Sequence, residues 1–236
     1  SSKWTCLNQR GKEMMKGRAV GIIRGQRCSP SKGNTVNGTI HTKAGMHTYI
    51  SMLRGINVSG QKMMKMTDLK ALYESLRLTN VATYIQSGNV VFQSRSNDPL
   101  SIGTSIEKAI VKSFGFPVPV VLRRPAEFRK IVNKCPFLSA ARMDESGLYV
   151  TFLKSRPTPL LVKAIALVAA ENTDTCEIAG NEIYLHCPDG YGKTKFSNGF
   201  FEKHLKVAAT TRNWKTVQTL LAMSSGEEAG HPWPTA

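Results

Sequence analysis

The chain is short of acids. Sixteen Asp and Glu stand against 32 Lys and Arg, for a formal charge of +16 over 236 residues. It is also short of paired thiols and of metal-ligand spacings. Cys6, Cys28, Cys135, Cys176 and Cys187 form no Cys-x-x-Cys pair, which leaves out a zinc ribbon and the thioredoxin-type redox motif. Of the five histidines, no two stand at ligand spacing, so no metal is expected. The longest apolar run, residues 160–170, is interrupted by Lys163 and falls short of the ~20 residues of a membrane span. No Gly-x-Ser-x-Gly elbow, dinucleotide fingerprint or Gly-x-x-x-x-Gly-Lys loop occurs, so the sequence names no cofactor and leaves open whether the chain is an enzyme.

The charge is unevenly spread. Residues 1–45 hold nine Lys and Arg against a single acid, Glu13, and show no sustained period. They read as a disordered basic leader outside the native fold, with Met46 as the natural start, and the tail 226–236 reads as disordered too. Residues 46–225 still carry 23 basic against 13 acidic side chains. All five thiols are expected to be reduced, as in a cytoplasmic protein; a hairpin turning at Gly180-Asn181 makes Cys176 and Cys187 diagonal neighbours, about 7–8 Å apart and beyond disulfide reach.

From Met46 strand and helix patterns alternate. Strands are expected at 48–53, 81–86, 89–93 and 117–123, with helices at 67–77 (Thr67 as N-cap) and 99–114 and a helix opened by Pro125. The order then recurs, with strands at 148–154, 175–179, 182–187 and 207–211 and helices at 158–170 and 197–206, before a last helix at 213–223. Tyr49 answers Tyr149, Arg54 answers Lys154, Arg124 answers Arg212, and the Gly-Asn pairs 88–89 and 180–181 answer each other. The expectation is an α+β protein of two tandem ferredoxin-like βαββαβ repeats with antiparallel sheets, 46–135 and 136–225, each of strand order 4-1-3-2. Gly-Asn suits a type II′ turn, with Gly taking the positive φ.

The stretches MHTYISMLRGINVSGQKMMKM, TYIQSGNVVF and ATTRNWKTVQTLL resemble the bacterial family known as domain of unknown function 1697, over about residues 46–223. The resemblance implies a cytosolic α+β protein with two related halves and no settled activity.

Two basic edges are candidate sites. At the first, Arg54, Gly55 and Asn57 leave a strand while Gln86, Ser87 and Asn89 occupy a hairpin; a cationic fork with amides and free N–H groups suits a carboxylate or phosphate. At the second, Lys193, Lys195, Arg212, Asn213 and Trp214 stand beside two helix starts, where free N–H groups and the helix dipole favour anions. The plainer role for Gly55, Asn57, Ser87 and Asn89 is turn chemistry, for Asn213 a helix cap, for Trp214 packing. Glu107 and the other helical acids read as solvated. A small anionic ligand is the preferred partner. The alternatives are a nucleic-acid-binding module, stacking bases on Tyr49, Phe92, Tyr149 and Tyr184, or a structural, partner-binding protein.

Overall fold

A computed structural model describes residues 3–7, 13–18, 45–138, 145–169 and 174–225. The chain divides into two units, Ser1–His41 and Thr42–Ala236. In the first, β1 (Lys3–Leu7) and β2 (Glu13–Arg18) pair antiparallel, with an irregularity between Cys6 and Leu7. These segments are too short to show a sustained period. The rest of the leader and the tail, both expected to be disordered, lie outside the described residues.

The second unit runs β3 (His47–Leu53), α1 (Met66–Ser75), β4 (Thr79–Tyr84), β5 (Asn89–Ser94), α2 (Pro99–Phe114), β6 (Val120–Arg123) and α3 (Pro125–Asn133). It continues through a short 3-10 turn into β7 (Leu148–Leu153), α4 (Pro159–Ala169), β8 (Thr175–Ala179), β9 (Glu182–His186), α5 (Asn198–Leu205), β10 (Ala209–Asn213) and α6 (Trp214–Ser225). The strands form two four-stranded sheets, β4-β5-β3-β6 and β10-β7-β9-β8, with every pairing antiparallel. That is the order expected when each crossover is right-handed.

Alternation along the strands divides the core. Tyr49, Leu53, Val90, Phe92 and Val120 face α1 and α2, where Ile102, Ile106 and Ile110 form one apolar stripe of α2. Residues at the intervening positions, Ile50, Met52, Val91 and Val121, join Val150, Phe152 and Tyr184 of the other sheet, together with Phe128 and Ile131 of α3 and Trp214, Val217 and Leu220 of α6. The outer face of the second sheet packs Leu153, Ile183, Leu185, Phe196, Phe201 and Leu205. The central strands of both sheets are thus covered on both faces, while Thr175, Glu177 and Ala179 of β8 stay exposed. Of the four rings named for base stacking, Tyr49 and Phe92 are fully buried and Tyr184 nearly so, while the half-buried Tyr149 packs its ring on Tyr191 at 5.2 Å.

Cys176 pairs with Leu185, as the hairpin register requires, and Cys135, Cys176 and Cys187 are free thiols. Burial, then the neighbouring Cys187, pushes the Cys176 thiol up to about 11, so it is protonated at neutral pH. Neither His186, whose ring lies 6.2 Å from Phe137, nor His204, bonded to the Phe200 carbonyl, belongs to a metal-ligand cluster; none occurs among the described residues.

Local details depart from expectation. Lys65, not Thr67, precedes α1; Thr67 lies inside the helix, its hydroxyl on Asp68. The strand expected at 117–123 pairs only from Val120. The second hairpin has the expected two-residue turn, Gly180-Asn181, with Gly180 at φ +71°. The first does not. Tyr84 pairs with Asn89, so residues 85–88 make a four-residue loop, and Asn89 is a buried strand residue facing Met52. Gly88 closes that loop at φ +74°, and a Cβ there would lie 2.7 Å from Ile56 and 2.8 Å from Leu53. Gly88→Ala combines left-handed strain with a clash against two buried side chains. We expect a loss of about 2–4 kcal/mol, read as a lower urea midpoint at unchanged m-value. Gly180→Ala meets no atom within 4 Å and should cost only the backbone strain.

Candidate functional site

Arg212 lies on β10 opposite Val150, on the face turned toward the first sheet. Its guanidinium leaves its own half. Nη2 donates to the carbonyls of Leu53 (2.9 Å) and Ser87 (3.1 Å), and Nε donates to Asn89 Oδ1. Nη1 donates to Thr210 Oγ1 and the Thr211 carbonyl. The two predicted edges therefore meet at one seam, and the arginine expected to hold a ligand is spent on neutral oxygens. Burial first, and then the charge of Arg54, pulls its pKa down to about 10, which still leaves it charged at neutral pH.

The rest of that seam is similarly occupied. Arg54 makes a bidentate pair with Glu202 of α5, both bonds at 3.0 Å. Asn57, at φ +54°, clamps its loop: its amide donates to the carbonyls of Met64 and Gln86, and its Oδ1 accepts from Met64 N. Asn89 Nδ2 reaches the Tyr84 carbonyl and Ser87 Oγ. Gly55 serves the turn at φ +64°, and the Gln86 side chain is exposed. Asn213 Oδ1 accepts from Thr216 N and caps α6; Trp214 is buried in the central core; Lys193 and Lys195 are exposed and stand apart from the seam's bonds.

A second seam repeats the first with the halves exchanged. Arg123, paired opposite Ile50, donates from Nη2 to the carbonyls of Leu153 (2.8 Å) and Asn181 (3.3 Å), from Nη1 to the Leu122 carbonyl, and from Nε to Glu182 at 2.8 Å. Arg123, rather than Arg124, is thus the counterpart of Arg212; identical neighbouring arginines hid a shift of one residue. The helix acids take part as well. Glu107 of α2 accepts from Val120 N and pairs with Lys154, as Glu202 accepts from Ala209 N and pairs with Arg54. Glu107 is therefore a seam residue and not the solvated acid of the sequence reading. Its place on α2 gave no signal, because its partners stand 13 and 47 positions away.

The seams differ in one partner. Asn89, at the start of β5, faces Arg212 where Glu182, at the start of β9, faces Arg123. Beside Arg123 a cleft of about 240 Å³ opens between the halves, lined by Pro99, Leu100, Gly103, Thr104, Val120, Leu122, Arg123, Arg124, Glu127, Lys154 and Asn181. Arg123 is matched by Glu182 and Lys154 by Glu107. Arg124 has no carboxylate on its guanidinium among the described residues. Its Nη2 donates to Tyr49 Oη (3.3 Å) and to both oxygens of Asn97, and the group lies 5.5 Å from the centre of the Tyr49 ring. Glu127 accepts from the backbone N of Arg124. This is a fixed, half-buried cation on the wall of a cleft with an apolar side.

No helix among the described residues is long and apolar enough to cross a membrane. The profile of the family described as Protein of unknown function (DUF1697) matches residues 46–184, more than half of the chain, and the chain belongs to that family. Among solved structures it is similar to the conserved bacterial protein SP0830 from Streptococcus pneumoniae, at 23% identity and a TM-score of 0.54, over 76% of this chain and 99% of that one. That likeness concerns the fold. No curated protein matches the chain.

The unequal seams give a stability test. Arg123→Met leaves the Glu182 carboxylate without its cation, an expected loss of about 3–5 kcal/mol. Arg212→Met leaves only neutral oxygens unpaired and also removes a desolvated charge, so about 1–3 kcal/mol is expected. Urea unfolding of the two variants should rank them in that order.

Proposed function

We propose that this member of the family binds a small anionic ligand in the cleft between its two halves, with Arg124 as the anchoring cation. The observation that carries this reading is the charge pattern at the cleft. Arg123 and Lys154 each face a carboxylate, whereas the Arg124 guanidinium rests on neutral oxygens and a ring face. A half-buried cation without a counter-ion on its guanidinium attracts an anion more strongly than a matched pair does. The basic edge of the sequence reading is thereby retained as a kind of site but moved from Arg54 and Arg212 to the opposite seam.

The architecture behind this reading is two copies of one ferredoxin-like βαββαβ unit, about 46–135 and 136–225. What supports it is the same strand order in both sheets and the same set of cross-half bonds from Arg123 and Arg212. Clefts between domains or repeats are where small-molecule sites are commonly found. A cytoplasmic setting fits the three free thiols.

The test is thermal shift of the full chain against a panel of small carboxylates, phosphates and sulfate at constant ionic strength. Arg124→Gln should lose the stabilisation given by any hit, whereas Arg54→Gln should keep it, shifted only by its own lower baseline. Stabilisation undiminished in Arg124→Gln would count against the reading.

A further inference from the structure

We infer that the cleft takes an amphiphilic monocarboxylate, a single carboxylate head on an apolar body, and takes one per chain. The inference rests on the reading of the cleft as an anion site and adds the ligand's class.

Charge sets the head group. Two of the three cations on the wall are already matched, Arg123 by Glu182 and Lys154 by Glu107, which leaves Arg124 as the unmatched positive charge. Glu127 stands on the same wall with its own negative charge. With those two pairs matched and Glu127 counted, the lining carries no net charge, so Arg124 can meet one carboxylate locally while the second charge of a phosphate dianion has only Glu127 before it and is repelled. Free donors remain on the guanidinium, each able to make a single bond. Arg124 uses Nη2 on Asn97 and Tyr49, and among the described residues Nε and Nη1 donate to no protein acceptor.

The apolar part of the lining sets the body. Pro99, Leu100 and Leu122 are among its apolar lining, with Gly103 beside them, where an added Cβ would sit in ordinary contact with Leu122 at 3.7 Å. Leu100, in the first turn of α2, is 73% exposed. An apolar side chain left this open at the rim of a cleft gains from covering by ligand, at about 25 cal/mol for each Å² removed from water.

The other seam explains the stoichiometry. The residue after Arg212 is Asn213, whose side chain is committed to capping α6, so the place of Arg124 holds no cation there. Arg54 is held in its bidentate pair with Glu202.

The experiment is isothermal titration of the full chain with acetate, hexanoate, benzoate and inorganic phosphate at fixed ionic strength, on the native sequence and on Arg124→Gln, Leu100→Ser and Gly103→Ala. Leu100 is exposed, and Gly103→Ala makes only ordinary contacts on a helix, so both variants should fold. We expect hexanoate or benzoate to bind one per chain, about tenfold or more tighter than acetate. Leu100→Ser should remove most of that difference, Gly103→Ala should weaken the bulkier ligands first, and Arg124→Gln should weaken all of them. Arg124-dependent binding of acetate equal to that of hexanoate, or of phosphate tighter than either, overturns the ligand class while the anion site stands. No binding by any of the four, or binding indifferent to Arg124→Gln, overturns the class and the site together.

Discussion

Two buried arginines hold the halves of this protein in register. Each leaves the edge strand of one sheet and donates to the carbonyl that ends the first strand of the other, Arg212 to Leu53 and Arg123 to Leu153. A strand that stops inside a protein leaves carbonyls without ladder partners, and an oxygen unpaired away from water costs about as much as a lost hydrogen bond. The side chains that reach those oxygens come from the other half. Each supplies the donor for the other, and the five N–H groups of a guanidinium in a rigid fork suit the task better than an ammonium. The shared apolar layer, with Phe128 stacked on Phe152 at 5.2 Å, supplies area, while the arginines fix where the sheets stop relative to each other.

That constraint explains why residues suggestive of a ligand site turn out to be occupied. A cation beside amides and turn carbonyls is what an anion site looks like in one dimension, and it is also what an intramolecular seam looks like. Burial and partner count separate the two. Arg212 is 7% exposed with acceptors on all three nitrogens, whereas Arg124 is half-buried and engaged through Nη2 alone. The fold by itself is silent on function, since such α+β units carry many unrelated activities. The reading rests on the cleft.

Much of the architecture was legible. Period-two runs placed the strands, the Ile102-Ile106-Ile110 stripe placed α2, and the recurrence of element order anticipated two sheets of like topology. What was misread was register. Gly88-Asn89 and Gly180-Asn181 are the same letters in different places, because the first hairpin turns over four residues and the second over two. Arg124 and Arg212 match by letter while Arg123 and Arg212 match by position. Local pattern carries no information on loop length, and the pairs that define both seams, 30 to 159 positions apart, have no local signature at all. The Arg124 cleft escaped for the same reason: α2, β6 and the ends of β7 and β8 build it together.

The exchange of Asn89 for Glu182 has a bearing on how such a molecule can change over time. Two separate, identical copies of one half would associate about a true twofold axis and carry the same side chain at both seams, so any alteration would be felt twice. Covalent linkage lifts that rule. One seam can keep its acid and hold the halves together while the other gives it up. Joining the halves in one chain therefore does more than raise their effective concentration. It lets the two seams of one chain carry different charge.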